Sequence, residues 1–133
     1  MKSTDLRNEV REYILSDVQM TLARLGINAA CKFVTEKDYR GSDYLTIETS
    51  KFQTMPMMFK ELYVRGPVGV YEEEDKEFYE VSIRLEYCWK SFRGGSNGTD
   101  LGTIRYQVEK DMPERVGEDS VRYYIHKEHG IEI

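Results

Sequence analysis

Between residues 4 and 25 the apolar positions Leu6, Val10, Tyr13, Ile14, Val18, Leu22 and Leu25 recur at intervals of three and four, the period of a helix with one buried face. Arg7, Glu9, Glu12, Gln19 and Arg24 fall largely outside that stripe. Ser3 or Thr4 can cap the first turn. Gly26 supplies the left-handed position that ends a helix, after which Ile27 folds back onto the last turn. A helix over 4–25 is roughly 33 Å long, and because it is marginal alone in water its stripe must be buried.

From Ala29 onward the period changes to two, and strands are predicted at 30–36, 43–50, 60–71, 77–92, 101–111 and 120–127. In the clearest of these, Tyr79, Val81, Ile83, Leu85, Tyr87 and Trp89 alternate with Glu80, Ser82, Arg84, Glu86, Cys88 and Lys90. That alternation predicts one buried and one wet face. Hairpins through YEEEDKEF, RGGSNGTD and MPERVGEDS would set Val70 against Tyr79 and Leu62 against Tyr87, then Trp89 against Ile104 and Leu85 against Val108, then Val108 against Tyr123. All three agree on one apolar face for the helix to cover. The predicted fold is α+β: one long amino-terminal helix across a single antiparallel, meander-like sheet of five to six strands, with residues 1–133 as one domain. A helix followed by antiparallel strands resembles cystatin-like folds and several viral tail-assembly folds in topology. No diagnostic motif accompanies that resemblance, and no residue role follows from it.

Gly66 and Pro67 interrupt the strand at 60–71 and predict a bulge or a sheet edge there. The Met-rich KFQTMPMMF, 51–59, reads as a connection whose thioethers fill gaps under the sheet.

The same register arranges the opposite face into rows: Arg65, Arg84, Glu109, Arg122; then Tyr63, Glu86, Gln107, Tyr124; then Glu61, Cys88, Arg105, His126. Arg65 directly opposite Arg84 repels unless a negative group sits nearby, and Glu109 and Glu86 are placed to supply it. Such a lattice of exposed cross-strand ion pairs is worth well under about 1 kcal/mol per pair. As a binding patch, Arg65, Arg84, Arg122 and Glu109 with Tyr63 and Tyr124 suit an acidic ligand or partner, because guanidinium groups hold carboxylates and phosphates bidentately.

Other chemistry is poorly supported. His126 and His129 are three apart and point to opposite faces of a strand, with no third ligand. Cys88 lies on the outer face, with Arg105 between it and His126. RGGSNGTDLG lacks phosphate-loop spacing and is followed by a strand, and the acidic tip EEED has no cation-loop pattern around it. No cofactor is predicted.

Composition narrows the classes further. The chain has 133 residues, 40% of them apolar and 32% charged, with ten tyrosines, five phenylalanines and one tryptophan, enough for one core. Nineteen basic against 24 acidic residues give a net charge of −5, which disfavours binding to nucleic-acid backbone. No stretch is long and apolar enough to span a membrane, and MKSTDLRNEVREY is too polar for a signal peptide. Cys31 and Cys88 read as reduced thiols, so a cytoplasmic location is expected.

The first functional expectation is a non-catalytic protein-binding or assembly module that uses the open sheet face, with a protein partner or self-association through Tyr63, Tyr71, Phe78 and Tyr124. A second, from another class, is binding or hydrolysis of a small acidic ligand in a cavity between helix and sheet, lined by Tyr87, Tyr106 and Tyr123. A third is a phage or mobile-element accessory protein.

Overall fold

A computed structural model of the chain describes residues 1–52, 62–90 and 96–119. One α-helix, α1 (Asn8–Arg24), packs on a six-stranded antiparallel sheet of β1 (Cys31–Lys37), β2 (Asp43–Thr49), β3 (Leu62–Glu72), β4 (Phe78–Lys90), β5 (Ser96–Glu109) and β6 (Met112–Asp119). The strands lie side by side in chain order, the meander expected from the sequence. Along the helix, Cα atoms come within 8 Å of both edge strands, β1 and β6, so the sheet curls around it.

The helix is shorter than its apolar stripe. Ser3–Asp5 form a separate 3-10 turn, and Leu6 and Arg7 are extended before α1 begins at Asn8. Ser3 does not cap α1: its buried hydroxyl accepts a hydrogen bond from the Leu45 amide at 2.8 Å, which pins the amino-terminal segment to β2. Arg11 holds the break by donating to the carbonyls of Thr4 at 2.6 Å and Leu6 at 2.8 Å. Seventeen helical residues make α1 about 25 Å long. Its carboxyl end is as predicted. Gly26 has φ +84°, its amide donates to Ala23 O, and the Ile27 amide reaches back to Leu22 O at 2.9 Å, a Schellman closure with Ile27 buried on the last turn.

Val10, Ile14, Val18 and Leu22 are fully buried and meet Val81, Ile83, Leu85, Ile104 and Val108 of the sheet in one core cluster. Tyr13 lies at the margin of the stripe, 40% exposed, with its ring edge-on to Tyr106 at 6.1 Å.

The apolar faces match the sequence reading, but every predicted hairpin register is displaced. Across β3 and β4, Val70 faces Val81, Val68 faces Ile83 and Leu62 faces Trp89, a slide of two residues. A shift of two returns the same side chains to the same face, so burial cannot distinguish the two registers. Across β4 and β5 the shift is larger: Ile83 faces Ile104, Val81 faces Tyr106 and Tyr79 faces Val108. Much of the glycine-rich segment read as a loop is the start of β5, and Leu101 is an extra residue between the pairs Leu85–Gly102 and Glu86–Asp100.

The third hairpin turns at Lys110 and Asp111, both with positive φ, and the residues read as a connection form β6. Pro113, Gly117 and three acidic residues made this stretch look like a loop, yet they are what a guarded edge strand carries. The strand predicted at 120–127 lies outside the described residues, as does most of the Met-rich connection.

Gly66 and Pro67 sit at neither an edge nor a register-shifting bulge. β3 is internal, and its pairing with β4 skips these two residues between Arg65–Glu86 and Val68–Ile83 without a change of register. The interruption is consistent with Pro67, which has no amide to give.

Candidate functional site

The outer face of the sheet, away from α1, is built from alternate residues of all six strands. The observed register composes its rows differently from the sequence reading. Arg65 faces Glu86, Tyr63 faces Cys88, Arg84 faces Thr103, Ser82 faces Arg105, Glu80 faces Gln107 and Phe78 faces Glu109. The expected opposition of Arg65 and Arg84 does not occur. Both arginines contact Glu86 instead, Arg65 through Nη1 at 3.6 Å and Arg84 through Nη2 at 3.3 Å.

Arg65 is further engaged by β1 and β2. Its Nη2 donates to Glu36 and, at 2.7 Å, to the Tyr44 hydroxyl, which itself donates to Glu36 at 2.9 Å. The Arg65 hydrogen bond holds the Glu36 carboxyl below its ordinary range, and the same partner raises the already high pKa of Arg65. Burial, then the hydrogen bond to Glu36, pushes the Tyr44 phenol up. Arg65 is thus a half-buried strut of a lattice, whereas the Arg84 side chain is 60% exposed.

Glu109, expected beside the arginines, lies at the far end of β4, opposite Phe78 and next to the β5–β6 turn. Arg122, Tyr124, His126 and His129 lie outside the described residues. Tyr63 and Cys88 are neighbours, as their pairing requires, and burial raises both pKa values. The Cys31 thiol is likewise pushed up, to about 11, by burial. Neither sulfur has the lowered pKa of an activated nucleophile.

Between the arginine lattice and the β3–β4 hairpin tip the outer face holds a shallow groove of about 340 Å³, floored by Pro67, Gly69, Ser82 and Thr103 and flanked by Tyr71 and Arg84. Its floor is low because Gly69 has no side chain. A Cβ there would lie 3.1 Å from the Tyr71 hydroxyl and 3.0 Å from Ser82 Oγ, so the tyrosine folds across the glycine. On the next strands the Arg105 guanidinium lies over Gly117 in the same manner. Gly69, Ser82, Arg105 and Gly117 form a row absent from the sequence reading, because locating it requires the register of three hairpins at once. Glu36 and Tyr44 were missed because no predicted row reached β1 and β2.

On the inner face, two of the three tyrosines expected to line a ligand cavity are fully buried, and Tyr123 lies outside the described residues. The Tyr106 hydroxyl donates to Asp17 Oδ2 at 2.7 Å. Arg115 donates from Nη1 to Asp17 at 3.3 Å and to Thr21 Oγ1 at 2.8 Å, and from Nη2 to Glu118. This cluster ties α1 to β5 and β6. Tyr87 packs beside Phe52, with ring centres 6.0 Å apart.

Among the described residues no three His, Cys, Asp or Glu side chains converge to hold a metal ion, and no helix is long and apolar enough to cross a membrane. No protein-family model, curated protein or solved structure matches the chain.

Proposed function

We propose that this chain is a non-catalytic protein-binding or assembly module and that the outer sheet face is its binding surface. The observation that carries this reading is the division of labour between the two faces. The inner face packs its apolar side chains against the helix in one core cluster. The outer one presents Tyr71 at 61% exposure and Met112 at 75%, set among charged rows and beside a groove. Exposed aromatic and methionine side chains ringed by polar groups are the composition of protein interfaces.

A photo-crosslinking residue placed at Tyr71, compared with one at Met20 on the solvent side of α1, tests the reading in cells of the natural host. Protein adducts at position 71 and none at position 20 are expected; adducts at neither, or at position 20 alone, would remove it.

The exposed Arg84 guanidinium beside the groove supports a second reading, capture of a small acidic ligand. Titration calorimetry with inorganic phosphate and with dicarboxylates tests it, and heat that disappears in Arg84→Ala is the expected result.

A further inference from the structure

β6 runs alongside α1 in the same direction. Asp111, just before β6, pairs with Arg7, just before α1, at 3.0 Å. Farther along, Arg115 donates to Asp17 and Thr21, and Glu118 borders a cleft of about 200 Å³ with Thr21, Arg24 and Leu25. On its other side β6 has no neighbouring strand among the described residues. Two apolar side chains beside that open edge are uncovered. Val116, the extra residue between the pairs Tyr106–Arg115 and Arg105–Gly117, is 50% exposed. Tyr13, one turn before Asp17 on the flank of α1 that faces β6, is 40% exposed.

We infer that the occupant of this edge is the chain's own next segment, residues 120–127, which turns back at Asp119 and Ser120 and pairs antiparallel with β6 as a seventh strand. The segment starts where β6 ends, so it meets the edge at a high effective concentration that a free partner must compete against. Its length fits. Pro113 has no amide to donate, which leaves Glu114–Asp119 for the ladder, about 20 Å of strand, and 120–127 spans that with residues to spare for the turn. Its pattern fits as well. Val121, Tyr123 and Ile125 alternate with Arg122, Tyr124 and His126, so one apolar face lies towards Tyr13 and the flank of α1. The charges are complementary: β6 carries Glu114, Glu118 and Asp119 against Arg115, whereas 120–127 carries Arg122 and Lys127 and no carboxylate. Opposite charges on adjacent strands favour their pairing.

With the apolar set on the helix side, Arg122, Tyr124 and His126 stand on the outer face, across β5 and β6 from Arg84 and about 14 Å away at the usual strand spacing. The surface proposed above for protein binding then gains a basic and aromatic strand at its margin. The pairing itself does not depend on that proposal.

Nuclear magnetic resonance on the full chain tests the pairing. Alternate amides within 121–126 are expected to exchange about a hundredfold or more slowly than in an unstructured peptide. Cross-strand contacts to Glu114–Glu118 are expected with them, and contacts from the Tyr13 ring to Val121, Tyr123 or Ile125. In a mixture of labelled and unlabelled chains those contacts should arise within one molecule. Tyr123→Asp with Ile125→Asp is expected to abolish the protection of 121–126 while the amides of Ile14–Leu22 stay protected. Fast exchange throughout 121–126, pairing with a strand other than β6, or protection that survives in the folded double variant would overturn the inference. Contacts found only between molecules would overturn it too, since the occupant would then be a second copy. If the double variant does not fold, the wild-type contacts decide alone.

Discussion

Single residues on both faces of the sheet have measurable consequences. A Cβ on Gly66 would stand 2.8 Å from Ile83 Cγ2 and 3.1 Å from Leu85 Cδ2. Because Ile83 is β-branched and fully buried, it cannot swing away, and Gly66→Ala is expected to cost about 1–3 kcal/mol in urea unfolding. Two groups give the stability opposite pH limbs. The Glu36 carboxyl is lowered in the folded chain, chiefly by its hydrogen bond from Arg65, so its contribution is present above the ordinary carboxylate range and is lost as pH falls through the folded value. Glu36→Gln is expected to make the acid limb of a stability–pH curve shallower. The Tyr106 phenol is raised by burial and then by Asp17, so its contribution is present below pH ~10 and is lost as pH rises beyond it. Tyr106→Phe is expected to cost about 1 kcal/mol near neutrality and to blunt the alkaline limb.

At the scale of elements, the helix end and the last hairpin show two uses of left-handed backbone. Gly26 closes α1 with a residue suited to positive φ. Lys110 and Asp111, at φ +50° and +60°, make the β5–β6 turn without glycine, Asp tolerating that backbone better than Lys. Two-residue turns with positive φ at both centres favour Asn-Gly. Lys110→Asn with Asp111→Gly is therefore expected to raise stability by about 0.5–1 kcal/mol in denaturant unfolding, net of a surface ion pair between Asp111 and Arg7. The turn chemistry also explains why the hairpin was not legible: Lys-Asp lacks the glycine of the usual two-residue hairpin signal, and Pro113 and Gly117 disguise the edge strand behind it. The β3–β4 hairpin was found but mis-set by two residues, since alternation fixes a face and leaves even shifts undetermined.

For the whole molecule, the sheet curls around α1, and helix and strands share a single core cluster. One cooperative transition is expected, with helix loss by far-ultraviolet circular dichroism coinciding with tertiary loss by tyrosine fluorescence. Leu22→Ala, deep in that cluster, should lower stability by about 2–5 kcal/mol and move both signals together. Separate transitions would divide the chain into independently folding parts.

Binary patterning by itself determined the class of fold, the helix with its Schellman end, the central strands and which of their faces is buried. These are local or period-two properties, and each is written within a few consecutive residues. Only the tertiary structure decided the registers, the extra residue at Leu101 and the membership of β6, because these depend on which distant residues meet. The candidate surface follows the same division. The sequence placed Arg65 and Arg84 on the outer face. The fold decided that Arg65 is engaged by Glu36 and Tyr44, that Glu109 stands apart, and that Arg84 meets Glu86 instead of Arg65.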